Sequence, residues 1–292
     1  MYWSKIAALV TWTAAALAAA DFSGASALEF TAKAVAFGPR PAGSEANRKL
    51  QVYIGSELRR FGWKVQEDAF TADTPLGQKP MKNIVANLPG SSGKAVVVTG
   101  HFDTKLMPLI SFVGANDGGS STGLLLELAR VLVKKPRKDD IYLVWFDGEE
   151  AFVDWTETDS VYGSRHLAAK WAADGTLHRI KALINVDMIG DKELDLINEV
   201  NSAEGLRKLV WETAADLGYS KQFPPNIQPI ADDHMPFVRL GVNAIDLIDF
   251  YYGPNHSYWH NGQDTLDKLS AASFDVMGKV ILEVLHRLET TK

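Results

Sequence analysis

The sequence predicts a three-layer, doubly wound α/β fold: a mostly parallel central sheet with helices on both faces. Three observations predict it. Short apolar runs recur at residues 95–99, 141–146, 182–186 and 244–248, each with the length and composition of a strand buried on both faces. Stretches with amphipathic helical spacing lie between them, and that alternation builds parallel βαβ units. After residue 28 no linker, low-complexity tract or repeat intervenes, so residues 28–292 read as one catalytic domain.

The elements follow in order. Lys5 precedes an apolar run over 6–20, and small-residue sites follow at Ala18-Ala19-Ala20 and Ala25-Ser26-Ala27. A charged start, an apolar stretch and a small-residue exit describe a secretory signal. A spanning helix would want ~20 apolar residues. Residues 1–27 are therefore expected to be a signal peptide, with a buried Ala-rich helix or an uncleaved N-terminal anchor as the alternatives, and the protein is expected to be exported to a periplasmic or secreted location. Leu50, Val52, Tyr53, Leu58 and Phe61 share a face of a helix over 45–61. Residues 63–70 and 83–88 read as early strands. Helices are expected over 120–133, 164–173, 203–217 and 270–288, between and after the four buried strands.

Bulk properties narrow the function. With 292 residues, 46% of them hydrophobic, the chain can build a full core. A net charge of −6 with no run of five like charges argues against a nucleic-acid surface. There are no cysteines, so no disulfide staples the fold and any metal must be held by His, Asp and Glu.

In a doubly wound sheet, sites form at the carboxyl ends of the strands. Those ends carry His101-Phe102-Asp103, Asp147-Gly148-Glu149-Glu150 and Asn185-Val186-Asp187. Loops add Asn116-Asp117-Gly118-Gly119, Asp232-Asp233-His234 and Trp259-His260. Taken singly, a histidine is more often structural, an aspartate before a helix is usually an N-cap, and paired glutamates are usually solvated. Together, carboxylates converging on one sheet edge would repel one another without a cation. With two histidines beside them, they form the ligand set expected for zinc where cysteine is missing.

The H-x-D, N-D-G-G, D-G-E-E and late W-H strings resemble the zinc aminopeptidase superfamily. A narrower resemblance, to the animal-type glutaminyl cyclases, lies in Asp147-Gly-Glu-Glu-Ala-Phe152, Trp155, Asp159-Ser-Val-Tyr-Gly-Ser-Arg-His-Leu-Ala168 and Asp232-Asp-His-Met-Pro-Phe237. Phe112-Val-Gly-Ala-Asn-Asp117, Leu126-Glu-Leu-Ala-Arg130 and Trp259-His260 extend it over residues 37–290. The resemblance implies closure of an N-terminal glutamine of peptides or proteins into pyroglutamate with loss of ammonia. It implies one zinc per chain on Asp117, Glu150 and His260, and Glu149 as proton shuttle. Asp187 and Asp232 would hydrogen-bond the shuttle and the intermediate, and Trp155 and Trp259 would border the glutamine. Asp159, Arg165 and His166 are read as fixing their loop, and a monomer is expected.

The chain departs from the cyclase pattern in places. Asp246 stands where a histidine is usual, the 246–260 segment is longer, the 103–116 loop is shorter, and Gly100 and Thr122 replace a cysteine pair. The rival within the superfamily is a two-zinc aminopeptidase, with His101 and Asp187 completing a second site beside Asp117, Glu150 and His260 and Glu149 as base. A non-catalytic binding ectodomain on the same scaffold is disfavoured by the full ligand set.

Overall fold

The computed structural model describes residues 22–133 and 137–290. In chain order the elements are α1 (Gly24–Val35), α2 (Glu45–Phe61), β1 (Lys64–Thr74), β2 (Gly77–Leu88), β3 (Ala95–His101), α3 (Gly119–Leu132), β4 (Asp140–Phe146) and α4 (Tyr162–Ala173). There follow β5 (Ile180–Asp187), β6 (Asn198–Glu199), α5 (Glu204–Asp216), β7 (Ile227–Gln228), α6 (Met235–Arg239), β8 (Ala244–Ile248) and α7 (Ala271–Thr290). The main sheet has the order β1-β2-β4-β3-β5-β8, and β6 and β7 form a separate two-stranded ribbon. Strands β4, β3, β5 and β8 are mutually parallel, whereas β1 and β2 join antiparallel at one edge.

Alternation along each strand fixes which layer it serves. Val96 and Val98, Leu143 and Trp145, and Ile184 and Val186 enter one apolar cluster with residues of α1, α2, α3, α5 and α7. Val97, Val144, Phe146 and Leu183 point the other way, to Leu167, Ala168 and Trp171 of α4 and Phe237 of α6. Helices therefore cover both faces, as the sequence predicts. Each fully buried Val or Leu contributes roughly 1.5–3 kcal/mol, so these central strands form a stiff platform whose carboxyl ends can carry polar groups.

Residue 27, where the expected signal ends, lies within α1. Among the described residues, which start at Phe22, Ser23 caps α1 by accepting from Ser26 N–H at 3.2 Å. Just before the small residues read as a leader exit, Gly24 lets α1 pack closely on α7, since a Cβ there would run into the Ala271 carbonyl oxygen. The preceding residues of the expected signal lie outside the described residues. Among the described residues, no helix is long and apolar enough to cross a membrane.

Candidate active site

Four loops meet at the carboxyl end of the sheet. The turn after β4 is fixed from two sides: Asp103 accepts Glu149 N–H at 3.1 Å and Glu150 N–H at 3.3 Å, and Val161 N–H donates to the Glu149 carbonyl at 2.7 Å. Val161 holds a left-handed backbone, φ 43°, to make that contact. Before α3, Asp264 accepts Asn116 N–H at 2.7 Å and Asp117 N–H at 3.1 Å. Gly118 then turns the chain at φ 74°, where a Cβ would fall 3.1 Å from the His101 ring. Strand β5 delivers Asp187, followed by Met188 at φ 47°. Asn116 ties that turn down, donating to Met188 O at 3.0 Å and accepting from Gly190 N–H at 2.8 Å. His260 itself sits at φ 50°. Left-handed backbone at a bulky residue costs on the order of 1–3 kcal/mol and persists only where its surroundings enforce it.

These turns bring together the residues singled out in the sequence. His260 Nε2 lies 3.0 Å from Glu150 Oε1 and 3.2 Å from Asp117 Oδ2, and one ligand atom from each of the three residues falls within 4.8 Å of the others. A second trio, His101, Asp117 and Asp187, meets the same limit. There His101 Nε2 is 3.2 Å from Asp117 Oδ1 and 3.1 Å from Asp187 Oδ1. Asp117 thus faces one histidine with each oxygen. All eight residues proposed for ligation, catalysis or substrate contact line one cavity of about 490 Å³: Asp117, Glu149, Glu150, Trp155, Asp187, Asp232, Trp259 and His260. His101 lies beneath the floor, fully buried.

The donor set fits zinc. Asp117 Oδ2 and Glu150 Oε2 are buried without a hydrogen-bond partner of good geometry, and three residues offering N and O atoms to one point is the arrangement of a catalytic zinc site. Without a cation the electrostatics are strained. Burial lifts the Glu149 carboxyl well above its usual range, with Glu150, Asp232 and Asp233 adding to the lift against the opposing pull of His101. Burial likewise raises Asp187 to about 7, against His101. His260 is pushed up to about 10, because hydrogen bonds to Asp117 and Glu150 outweigh its burial.

The cavity walls are apolar. Trp155 and Trp259 are 45% and 38% exposed at its mouth. Trp259 stacks on His260 at 4.1 Å and meets Phe250 edge-on at 5.0 Å. Asp159 gathers the Trp155 loop, accepting the N–H groups of Phe152, Val153 and Asp154 within 3.1 Å and the Tyr162 hydroxyl at 2.8 Å. Arg165 donates to the Ser160 carbonyl and so helps hold the same loop, whereas His166 stacks on Phe70 of β1 at 4.2 Å. Asp246, where the cyclase pattern has histidine, is buried in β8 and accepts from Asn185 Nδ2 at 3.0 Å. Sequence reasoning missed Arg40 and Asp264. Arg40 is buried and donates to the Phe102 and Gly114 carbonyls, stitching the histidine strand end to the aspartate loop.

Comparison with known proteins bears on this geometry. Residues 83–285 match peptidase family M28. The glutaminyl-peptide cyclotransferase of Drosophila melanogaster is 32% identical over 269 residues, covering 83% of this chain and 75% of that protein. The chain belongs to the glutaminyl-peptide cyclotransferase family within the M28 peptidases. Among solved members of this cyclase and peptidase group, a glutaminyl cyclase from an Acidobacteriales bacterium superposes with a TM-score of 0.90 at 38% identity, over 98% of this chain and 99% of that one. A Zn-dependent exopeptidase from Parabacteroides distasonis gives 0.81 at 30% identity, over 91% and 98%. A glutaminyl cyclase and a Zn-dependent exopeptidase thus both share this chain's scaffold.

Proposed function

We propose that the chain is a zinc-dependent glutaminyl-peptide cyclotransferase, converting the N-terminal glutamine of peptides or proteins to pyroglutamate with release of ammonia. Asp117, Glu150 and His260 would hold one zinc per chain, and the chemistry zinc supplies when bound is Lewis-acid polarisation of the γ-carboxamide. The substrate's own α-amine attacks that carboxamide carbon. A C–N bond to the amine forms, the bond to the amide nitrogen breaks, and one proton must pass between the two nitrogens. Glu149 carries it, taking it from the amine and giving it to the departing ammonia. The observation that supports this role is that Glu149 lines the cavity beside the ligand trio without belonging to it, its carboxyl raised well above its usual range by burial. Asp187 and Asp232 hydrogen-bond the shuttle and the tetrahedral intermediate, and Trp155 and Trp259 flank the glutamine side chain. The protein is read as an exported monomer.

The test is incubation of zinc-loaded protein with a Gln-initiated peptide, reading free ammonia and the matching mass loss of the peptide; an unchanged peptide overturns the reading. The trio His101, Asp117 and Asp187 favours a second reading, a two-zinc aminopeptidase with Glu149 as base. Two zinc ions per chain with free amino acid released, in place of one with ammonia, selects it.

A further inference from the structure

The cavity wall between β7 and α6 sets Asp232 beside Asp233, both buried, and Asp232 Oδ2 has no hydrogen-bond partner among the described residues. Asp232 and Asp233 also repel Glu149. Buried like charges are relieved by taking up a proton or by swinging outward to water, and a backbone tied down closes the second route.

The tie is Glu199, the last residue of β6, which is itself fully buried and outside the cavity lining. Its Oε1 accepts Ile230 N–H at 3.1 Å and Asn201 N–H at 2.7 Å. Its Oε2 accepts Ser202 N–H at 2.6 Å and the Ser202 hydroxyl at 2.7 Å, and lies 3.2 Å from His234 Nε2. Residues 230 and 234 stand two positions before and two after Asp232, so one carboxylate brackets it from both sides. Pro229, Ile230, Ala231 and Asp232 all line the cavity. Although burial opposes the charge, His234 and the surrounding N–H groups hold the Glu199 carboxyl down at about 2, leaving it an ionised acceptor at working pH.

We propose that Glu199 is a positioning residue for glutamine cyclisation, acting through Ile230 N–H and His234 to hold Asp232 against the reacting centre. It rests on the reading of the site given above. An amide at this position has one acceptor oxygen and cannot serve both groups of donors.

The experiment compares zinc-loaded wild type, Glu199→Gln, His234→Gln, Asp232→Asn and the double variants on one Gln-initiated peptide. Zinc content is measured, and rates are normalised to folded protein. Glu199→Gln is expected to lower kcat by about 10- to 100-fold, the range typical of lost outer supports in metal sites, with KM within about threefold and zinc retained. His234→Gln should do the same to a smaller degree. On the Asp232→Asn background each should cost less than about threefold, because coupled residues are non-additive; a support for folding alone would cost the same on both backgrounds. If Glu199→Gln fails to fold, the His234→Gln cycle decides in the same way. Equal losses on both backgrounds, or wild-type kcat in Glu199→Gln while Asp232→Asn is impaired, overturns the tether alone. Wild-type kcat in Asp232→Asn overturns the site reading and the tether with it.

Discussion

The floor of the cavity and its walls are built on opposite plans. On the floor, Asp117, Glu150 and Asp187 sit at the ends of regular elements, and their backbone N–H groups or neighbouring turns are gripped by other buried carboxylates and amides, such as Asp264, Asp103 and Asn116. The aromatic part of the wall, at the mouth, is loop-borne and half exposed, held by single gathering residues such as Asp159. Chemistry that tolerates little displacement is carried by the stiff platform, and recognition of variable peptides is left to segments that can alter without disturbing it.

Four substitutions would break or sharpen that contrast. The largest effect should come from Glu149→Gln on the floor: ammonia release is expected to fall by about three orders of magnitude or more, within the range of lost acid–base groups and electrostatic partners, with zinc content unchanged by atomic absorption. Next is Asp264→Ala, which strips the acceptor from Asn116 and Asp117 N–H and from the Tyr252 hydroxyl. Zinc affinity should weaken by about 10- to 100-fold in a chelator competition, although Asp264 is not a ligand. On the wall, Trp155→Ala is expected to raise KM for a Gln-peptide by roughly threefold to tenfold, as one aromatic contact is worth about 1 kcal/mol, and to leave kcat within about twofold. A larger loss of kcat than of affinity would erase the distinction between wall and floor.

The smallest effect concerns the longer wall loop. Asp249 accepts Asp195 N–H and Tyr251 N–H at 3.1 Å each, and burial, with help from Asp191 and Asp195, lifts its carboxyl to about 8. A folded-state value above the unfolded one, about 3.9, means that stability is full below pH 4 and is lost as pH rises toward 8. Melting temperature should therefore fall across that window by several degrees more in wild type than in Asp249→Asn, which mimics the neutral acid. Parallel melting curves for the two proteins would refute the assignment.

How far the sequence could be read follows the same division. Runs such as Val96-Val97-Val98 are apolar on both faces, so strand and depth are written locally, and the polar residues at their ends stand out by contrast. The Asp232-Asp-His-Met-Pro-Phe237 and Trp259-His260 strings were legible through resemblance. Asp264, Arg40 and Glu199 were not, because each makes contacts remote in the chain that no local pattern announces, as when Asp264 grips residues nearly 150 positions earlier. Helix α1 escaped for another reason: the small residues at its start also suit an export signal, and the close contacts with α3 and α7 that they permit are made with residues distant in the chain.

Asp117 presents one oxygen to His101 and the other to His260. Asp117 is the one residue common to both candidate metal trios, so a change at its carboxylate would disturb both at once. Protein engineers seeking to alter one trio alone would begin around the shared carboxylate, at the supports of Asp187 and His101.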